Sequence, residues 1–323
     1  MYFNQFLDFE ENVSILSQAA SRALGGIINK YKTNNNMGFS IYTKLFESCV
    51  VPVMNYSSGV WGFDKYSKPD NVQNLAMRVF LGLHKFAPMS AMYGDTGWLK
   101  PRYRRWIDMI RLWNRLISLP QNRLTFKIFE YDFNNAIITQ NWCSKIKKIF
   151  TTINMINLFE SKSLCDLELV KERLYTQQCT EWKNEILQKP KLRFYREFKN
   201  EPTIENYVSD NLLPNERSIL AQIRLGILPL AVETGRFINL PLEERLCKNC
   251  NVETVEDEWH FVFDCDLYDR ERTAYFDKIV NTKPEFIYLE PKDQLKYLFE
   301  TKHRSFAKYL NLCFKKRKDF LFQ

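Results

Sequence analysis

The segment CKNCNVETVEDEWHFVFDC, residues 247 to 265, holds three of the chain's eight cysteines and one of its three histidines. Cys247 and Cys250 stand two residues apart, a spacing at which one tight turn presents two thiolates to a tetrahedral zinc ion. His260 and Cys265 complete a four-ligand set after nine intervening residues, enough chain to return to the same point. On an unbroken helix these last two side chains would diverge by about 140°, so the chain must break or tighten between them. Asp266 is placed to cap a following helix, LYDRERTAYF, with Cys265 at its start. Four protein ligands leave no open coordination position, which makes the expected Zn2+ structural, not catalytic. The other reading of Cys-x2-Cys, a redox pair, needs a strand-to-helix junction in a thioredoxin-like unit, and no alternation of strands and helices surrounds it.

Around the cluster, Glu253, Glu256, Asp257, Glu258, Asp264, Asp266 and Asp269 oppose the approach of a phosphate. Trp259, Phe261 and Phe263 read as packing around a metal. Phosphate contacts are therefore sought elsewhere. On the segment KPRYRRWIDMIRLWNRLISL, Arg104, Arg111 and Arg115 lie within about 20° of one line on a helix, with Trp106, Met109, Ile110, Trp113, Leu116 and Ile117 opposite. A cationic stripe on a rigid helix suits successive phosphates, and equally a solvated face. In KPKLRFYREFK, Lys191, Arg193 and Arg196 interleave with Phe194, Tyr195 and Phe198, rings that stack on bases or belong to a core. The run Lys315, Lys316, Arg317, Lys318 is a third patch, read first as a solvated end. No catalytic residue is expected: His84 and His303 have no nucleophile or carboxylate at a recognised spacing.

The elements that must hold these residues are helical. Apolar residues recur at three and four in 11 to 32 and in 71 to 86, with Asp70 offered as N-cap of the second and Gly25-Gly26 expected to bend or weaken the first. Pro52 marks a kink or boundary, and Pro101 sits where a helix start does not need its N–H. At 323 residues the chain can bury one large or two smaller cores, with a hinge expected near 120 to 140. Lys and Arg number 46 against 38 Asp and Glu, a surplus of +8 that favours a polyanionic partner. The N-terminus carries acids where a secretory signal carries bases, and no run approaches the length of a membrane span, so an intracellular place, nuclear or cytoplasmic, is expected. The five scattered cysteines read as small buried hydrophobes.

The segments SRALGGIINKYK, LFESCVVPVMNYSSGVWGFDKYSKPDNVQNLAMRVFLGLHKFAP, GDTGWLKPRYRRWIDMIRLWNRL, KPKLRFYREFK, RSILAQIRLGILPLAVETGRF and RLCKNCNVETVEDEWHFVFDC together resemble the C-terminal part of non-LTR retrotransposon reverse transcriptases, RNA-directed DNA polymerases. The resemblance spans nearly the whole length. It implies a mainly α fold: a helical thumb-like region over 1–130, a helical connector over 131–205, and a helical region over 206–323 with a CCHC zinc-binding module at about 245–270. It maps the CCHC ligands onto Cys247, Cys250, His260 and Cys265. The partners it implies are RNA template and DNA primer, held through phosphates without sequence preference, and the palm and fingers region. Mg2+ would enter only through that palm, whose aspartate pair has no counterpart here, since the chain contains no Asp-Asp. The expectation is a truncated copy or orphaned C-terminal region that does not polymerise DNA alone; the competing class is a host-expressed remnant acting as a structural or protein-interaction module. The basic-Pro-Asp series of some retrotransposon endonucleases is matched only by Lys68-Pro69-Asp70 and Glu290-Pro291-Lys292-Asp293, each read as a helix cap.

Overall fold

The computed structural model describes residues 8–34, 36–136, 138–250 and 252–321, with side chains described to 319. The protein is mainly helical. Eleven helices of eight or more residues run through the described residues: α1 (Glu10–Thr33), α2 (Ser67–Leu81), α3 (Met89–Thr96), α4 (Pro101–Ile117), α5 (Leu124–Asn134), α6 (Trp142–Thr152), α7 (Leu167–Leu187), α8 (Pro214–Arg224), α9 (Asp269–Thr282), α10 (Pro291–Thr301) and α11 (His303–Leu321). The extended pairing found among the described residues is one isolated antiparallel bridge, Leu246 to Val255.

Two compact units emerge, neither a continuous stretch: residues 1–30, 42–76 and 98–183 form the first, and 31–41, 77–97 and 184–323 the second. The first unit is built on α4. Its apolar face buries Trp106, Met109, Ile110 and Trp113. The Trp113 ring meets Phe129, Phe150 and Phe159 at centroid distances of 5.4, 5.7 and 5.4 Å, and its indole N–H donates to the Ser163 carbonyl. Pro101 is the first helical residue, after Lys100 in extended backbone. Pro52 follows a wide π-turn at Phe46–Val50 and opens a short helix, so its missing N–H falls at a boundary.

Gly25-Gly26 lies inside α1, which runs on through both. The expectations for the second helix change. The second helix starts at Ser67, not Asn71, which puts Asp70 in its first turn in place of the N-cap; burial raises its carboxyl above the ordinary value, against the pull of Arg105 and Lys100. That helix also stops early. Gly82, with φ +66°, ends it through bonds from Gly82 N to Val79 O and from Leu83 N to Arg78 O, a Schellman closure. The segment His84–Pro88 is therefore loop.

In the second unit α11 packs on α8, α9 and α10. Phe261, Tyr268, Phe299 and Phe306 fill the space between them. Asp95, fully buried, accepts from the Tyr195 and Tyr207 hydroxyls at 2.8 and 2.6 Å and pairs with Arg224. Glu290 precedes Pro291 as the N-cap residue of α10, and His303 pairs with Asp210 at 2.7 Å.

Candidate metal centre

Each ligand-type side chain is positioned by a separate local device. Cys247 and Cys250 sit on a loop whose stem is pinned by Cys247 N to Thr254 O, Glu256 N to Arg245 O and the Leu246–Val255 bridge. The Asn249 backbone N–H donates to the Cys247 sulfur at 3.4 Å, folding the turn so that both sulfurs share one side. Asp257 accepts the His260 N–H at 2.9 Å and starts the next turn. That turn, His260–Asp264, is a π-turn closed by Cys265 N to His260 O at 2.9 Å. An i+5 bond returns residue i+5 over residue i, which an α-helix does not do. Cys265 is extended, with ψ 120°, and a 3₁₀ turn at Asp266–Tyr268 leads into α9. The chain thus tightens between His260 and Cys265, and the helix starts at Asp269, two residues later than an Asp266 cap would place it.

The four candidate ligand atoms lie within 4.8 Å of one another. Cys247 Sγ is 3.9 Å from Cys265 Sγ, and Cys250 Sγ is 3.4 Å from His260 Nε2. Zn–S bonds of about 2.3 Å and a Zn–N bond of about 2.0–2.1 Å at tetrahedral angles require separations of about 3.8 and 3.6 Å. The residues fit a four-coordinate metal ion. Burial raises the Cys247 and Cys265 thiols above their ordinary values, so without a cation the pocket favours neutral sulfur. A dication reverses that preference, because it binds thiolate and releases the protons. Binding through Nε2 leaves the His260 proton on Nδ1, which is buried and has no hydrogen-bond partner among the described residues.

A second layer holds the cluster. The Glu256 carboxylate, 2% exposed, accepts from Asn249 Nδ2 at 2.7 Å and from the Ala231 backbone N–H at 2.7 Å, and it pairs with Arg317 of α11 through both oxygens. Tyr309, also on α11, donates to the Val262 carbonyl at 2.7 Å inside the π-turn. Glu258 is buried against Arg193; burial lifts its carboxyl to about 7 despite that cation. Trp259 packs edge-on against Phe194 at 5.4 Å, and Phe263 stacks on Phe276. Two of the acids that read as a negative surface are thus buried and paired with arginines.

The basic residues singled out from the sequence are placed as follows. Arg104 is bound to Glu47 and to the Leu99 carbonyl, and Arg111 to Asp108, whereas Arg115 is exposed. Arg111 and Arg115 flank a groove of about 520 Å³ that also exposes Asp108. Lys191 pairs with Glu233, Arg193 with Glu258, and Arg196 donates to the Leu187 carbonyl. Phe194 and Tyr195 are core. Arg105, beside the stripe, is fully buried with its guanidinium on the Gly62 and Asp64 carbonyls, and burial lowers it to about 10. Sequence reasoning missed Glu256, Arg317 and Tyr309 as supports of the cluster, because their contacts join segments up to 61 residues apart. No protein-family model, curated protein or solved structure matches the chain. No helix of the described residues is long and apolar enough to cross a membrane.

Proposed function

We propose that this chain is a post-palm region of a non-LTR retrotransposon reverse transcriptase, non-catalytic by itself, in which one Zn2+ clips the second unit and basic surfaces touch template or primer. The observation that carries the reading is the convergence of Cys247, Cys250, His260 and Cys265, the residues that anchor the resemblance, into one closed four-ligand set. The metal supplies folding energy there and no reaction step. All eight cysteines are free, which supports the reducing nuclear or cytoplasmic compartment that this reading proposes. Zinc content near one per chain, together with salt-dependent binding to single-stranded RNA or to an RNA–DNA hybrid in a filter assay, is the expected result. A metal-free preparation with native circular dichroism and near-UV spectra would overturn the zinc clip. Failure to bind either nucleic acid at low salt would overturn the template-contact reading.

A second reading is favoured by one observation. Two of the three stripe arginines already have carboxylate partners, as a surface built for protein contact or plain solvation would have them. Under it, the Arg104→Ala/Arg111→Ala/Arg115→Ala variant binds nucleic acid as the parent does. Under the stripe reading, its affinity falls and the slope of log affinity against log salt flattens.

A further inference from the structure

The second unit carries a cluster of cations around one hollow. Because Gly82 ends α2, the following loop carries Lys85 and Phe86 outward before α3 begins at Met89. Lys189 and Lys191, which follow α7, line the same hollow as Lys85 and Phe86, together with Arg78 and Arg236. The hollow they enclose is about 420 Å³, and among the described residues no carboxylate lines it. Among the described residues, Glu233 is the acid paired with these cations, shared by Lys191 and Arg236. Lys189 donates to Ser90 Oγ at 2.9 Å, which leaves two of its N–H donors. The Arg78 Nε–H is buried and has no hydrogen-bond partner among the described residues.

The floor of cations comes with a ring. Phe86 is 70% exposed, and the Lys85 ammonium sits 4.9 Å from its centroid. A phenyl group this open has an unused face, next to charges that repel one another. A ligand that brings both phosphates and a flat aromatic surface satisfies both features at once. A duplex does not, because its bases are stacked on each other and offer no free face.

We propose that this hollow is a single-strand nucleic-acid site, in which Lys85, Lys189, Lys191 and Arg236 contact backbone phosphates and Phe86 stacks on one unpaired base. The proposal deepens the template-contact reading and rests on it. It moves the main contact from the arginine stripe of α4 to the loop behind α2. Lysine ammoniums act as point charges and stacking tolerates any base, so the site has no sequence preference.

Fluorescence anisotropy on the zinc-loaded full chain, with labelled oligo(U) and oligo(dT) 12-mers and a 12-base-pair RNA–DNA hybrid, tests this. The single strands should bind more tightly than the hybrid. Lys85→Ala/Arg236→Ala should weaken them about tenfold and reduce the salt slope by about 1.4, two phosphates at about 0.7 each. Phe86→Ala should cost about tenfold and Phe86→Trp should restore binding. Zinc content and circular dichroism check that each variant is folded. Parental affinity in the Lys85/Arg236 and Phe86 variants, with loss in the α4 triple variant, would overturn this site and keep the wider reading. Loss on charge removal with Phe86→Ala unchanged would overturn the single-strand assignment. No binding of any probe by the parent would overturn site and reading together.

Discussion

Arg317 stands in a run of four cations at the end of the sequence, yet its side chain is 8% exposed and spends both terminal nitrogens on Glu256. Removing it leaves a buried carboxylate without its cation, a change that costs about 3–5 kcal/mol. Glu256 also holds Asn249, whose backbone N–H bonds the Cys247 sulfur, so the loss should reach the metal as about a 10–100-fold weaker affinity. Urea unfolding and competition with a chromophoric chelator on Arg317→Ala check both effects. The double change Arg317→Met/Glu256→Gln, which removes both charges, should recover most of the stability and less of the affinity. A neutral single variant would show that the pair clamps nothing. A second residue reports the basic hollow. Burial, then the charges of Lys191 and Arg78, hold the His84 imidazole below its ordinary value, with Glu233 opposing. Its folded value lies under the unfolded one, so the unfolded chain binds more protons and this group removes stability as pH falls below about 6.5. Oligo(U) in the hollow should move the His84 titration upward, read by NMR of the imidazole; an unchanged titration with bound oligonucleotide would place the ligand elsewhere.

At the scale of elements, α2 shows what a local pattern can and cannot set. The three-and-four recurrence of apolar residues predicts helix through residue 86, but Gly82 adopts φ +66° and the helix ends before it. A Cβ at this position would also meet Ser218 of α8 at 2.8 Å. Gly82→Ala should therefore destabilise the second unit by more than the ~1–2 kcal/mol of a left-handed L-residue alone. Gly82→Ala/Ser218→Gly should return the steric part, as thermal unfolding would show. The helix α4 was legible because its two faces differ so sharply: Pro101 starts it, and Trp106, Met109, Ile110 and Trp113 go to the core as the period requires. The four ligand-type residues were legible from spacing. The π-turn that aligns His260 with Cys265 was not, since nothing in HFVFDC distinguishes an i+5 bond from a break; only the demand that the two side chains converge pointed to a tightening. Charge was the least legible feature. Whether Arg104, Arg111, Lys191 or Arg193 is available depends on Glu47, Asp108, Glu233 and Glu258, and most of these partners are 42 to 65 residues away in the chain.

At the scale of the whole molecule, the two units differ in what they need. The first has a continuous aromatic core around Trp113 and contains none of the four ligand-type residues. The second joins its last helix to the metal-site turn through Tyr309–Val262 and Arg317–Glu256, so loss of the ion should release α11 as well as the loop. The cysteines report this division. Cys143 and Cys165 lie in the first core, where burial pushes their thiols up to about 12 and about 11, and Cys49 is exposed. Cys313 is fully buried on α11. A thiol reagent at pH 8 should label Cys49 readily in the zinc-loaded protein and spare Cys313 and the three ligand cysteines. After chelation, Cys247, Cys250, Cys265 and Cys313 should all react, within the time that Cys143 and Cys165 remain protected. Mapping the labelled peptides by mass spectrometry reads the outcome residue by residue. Protection of Cys313 in the chelated protein would mean that α11 is held by its packing on α8, α9 and α10 without help from the metal, and the clip would then be a local feature of residues 247 to 265. Exposure of Cys143 and Cys165 on the same time scale would mean that the first core depends on the metal too.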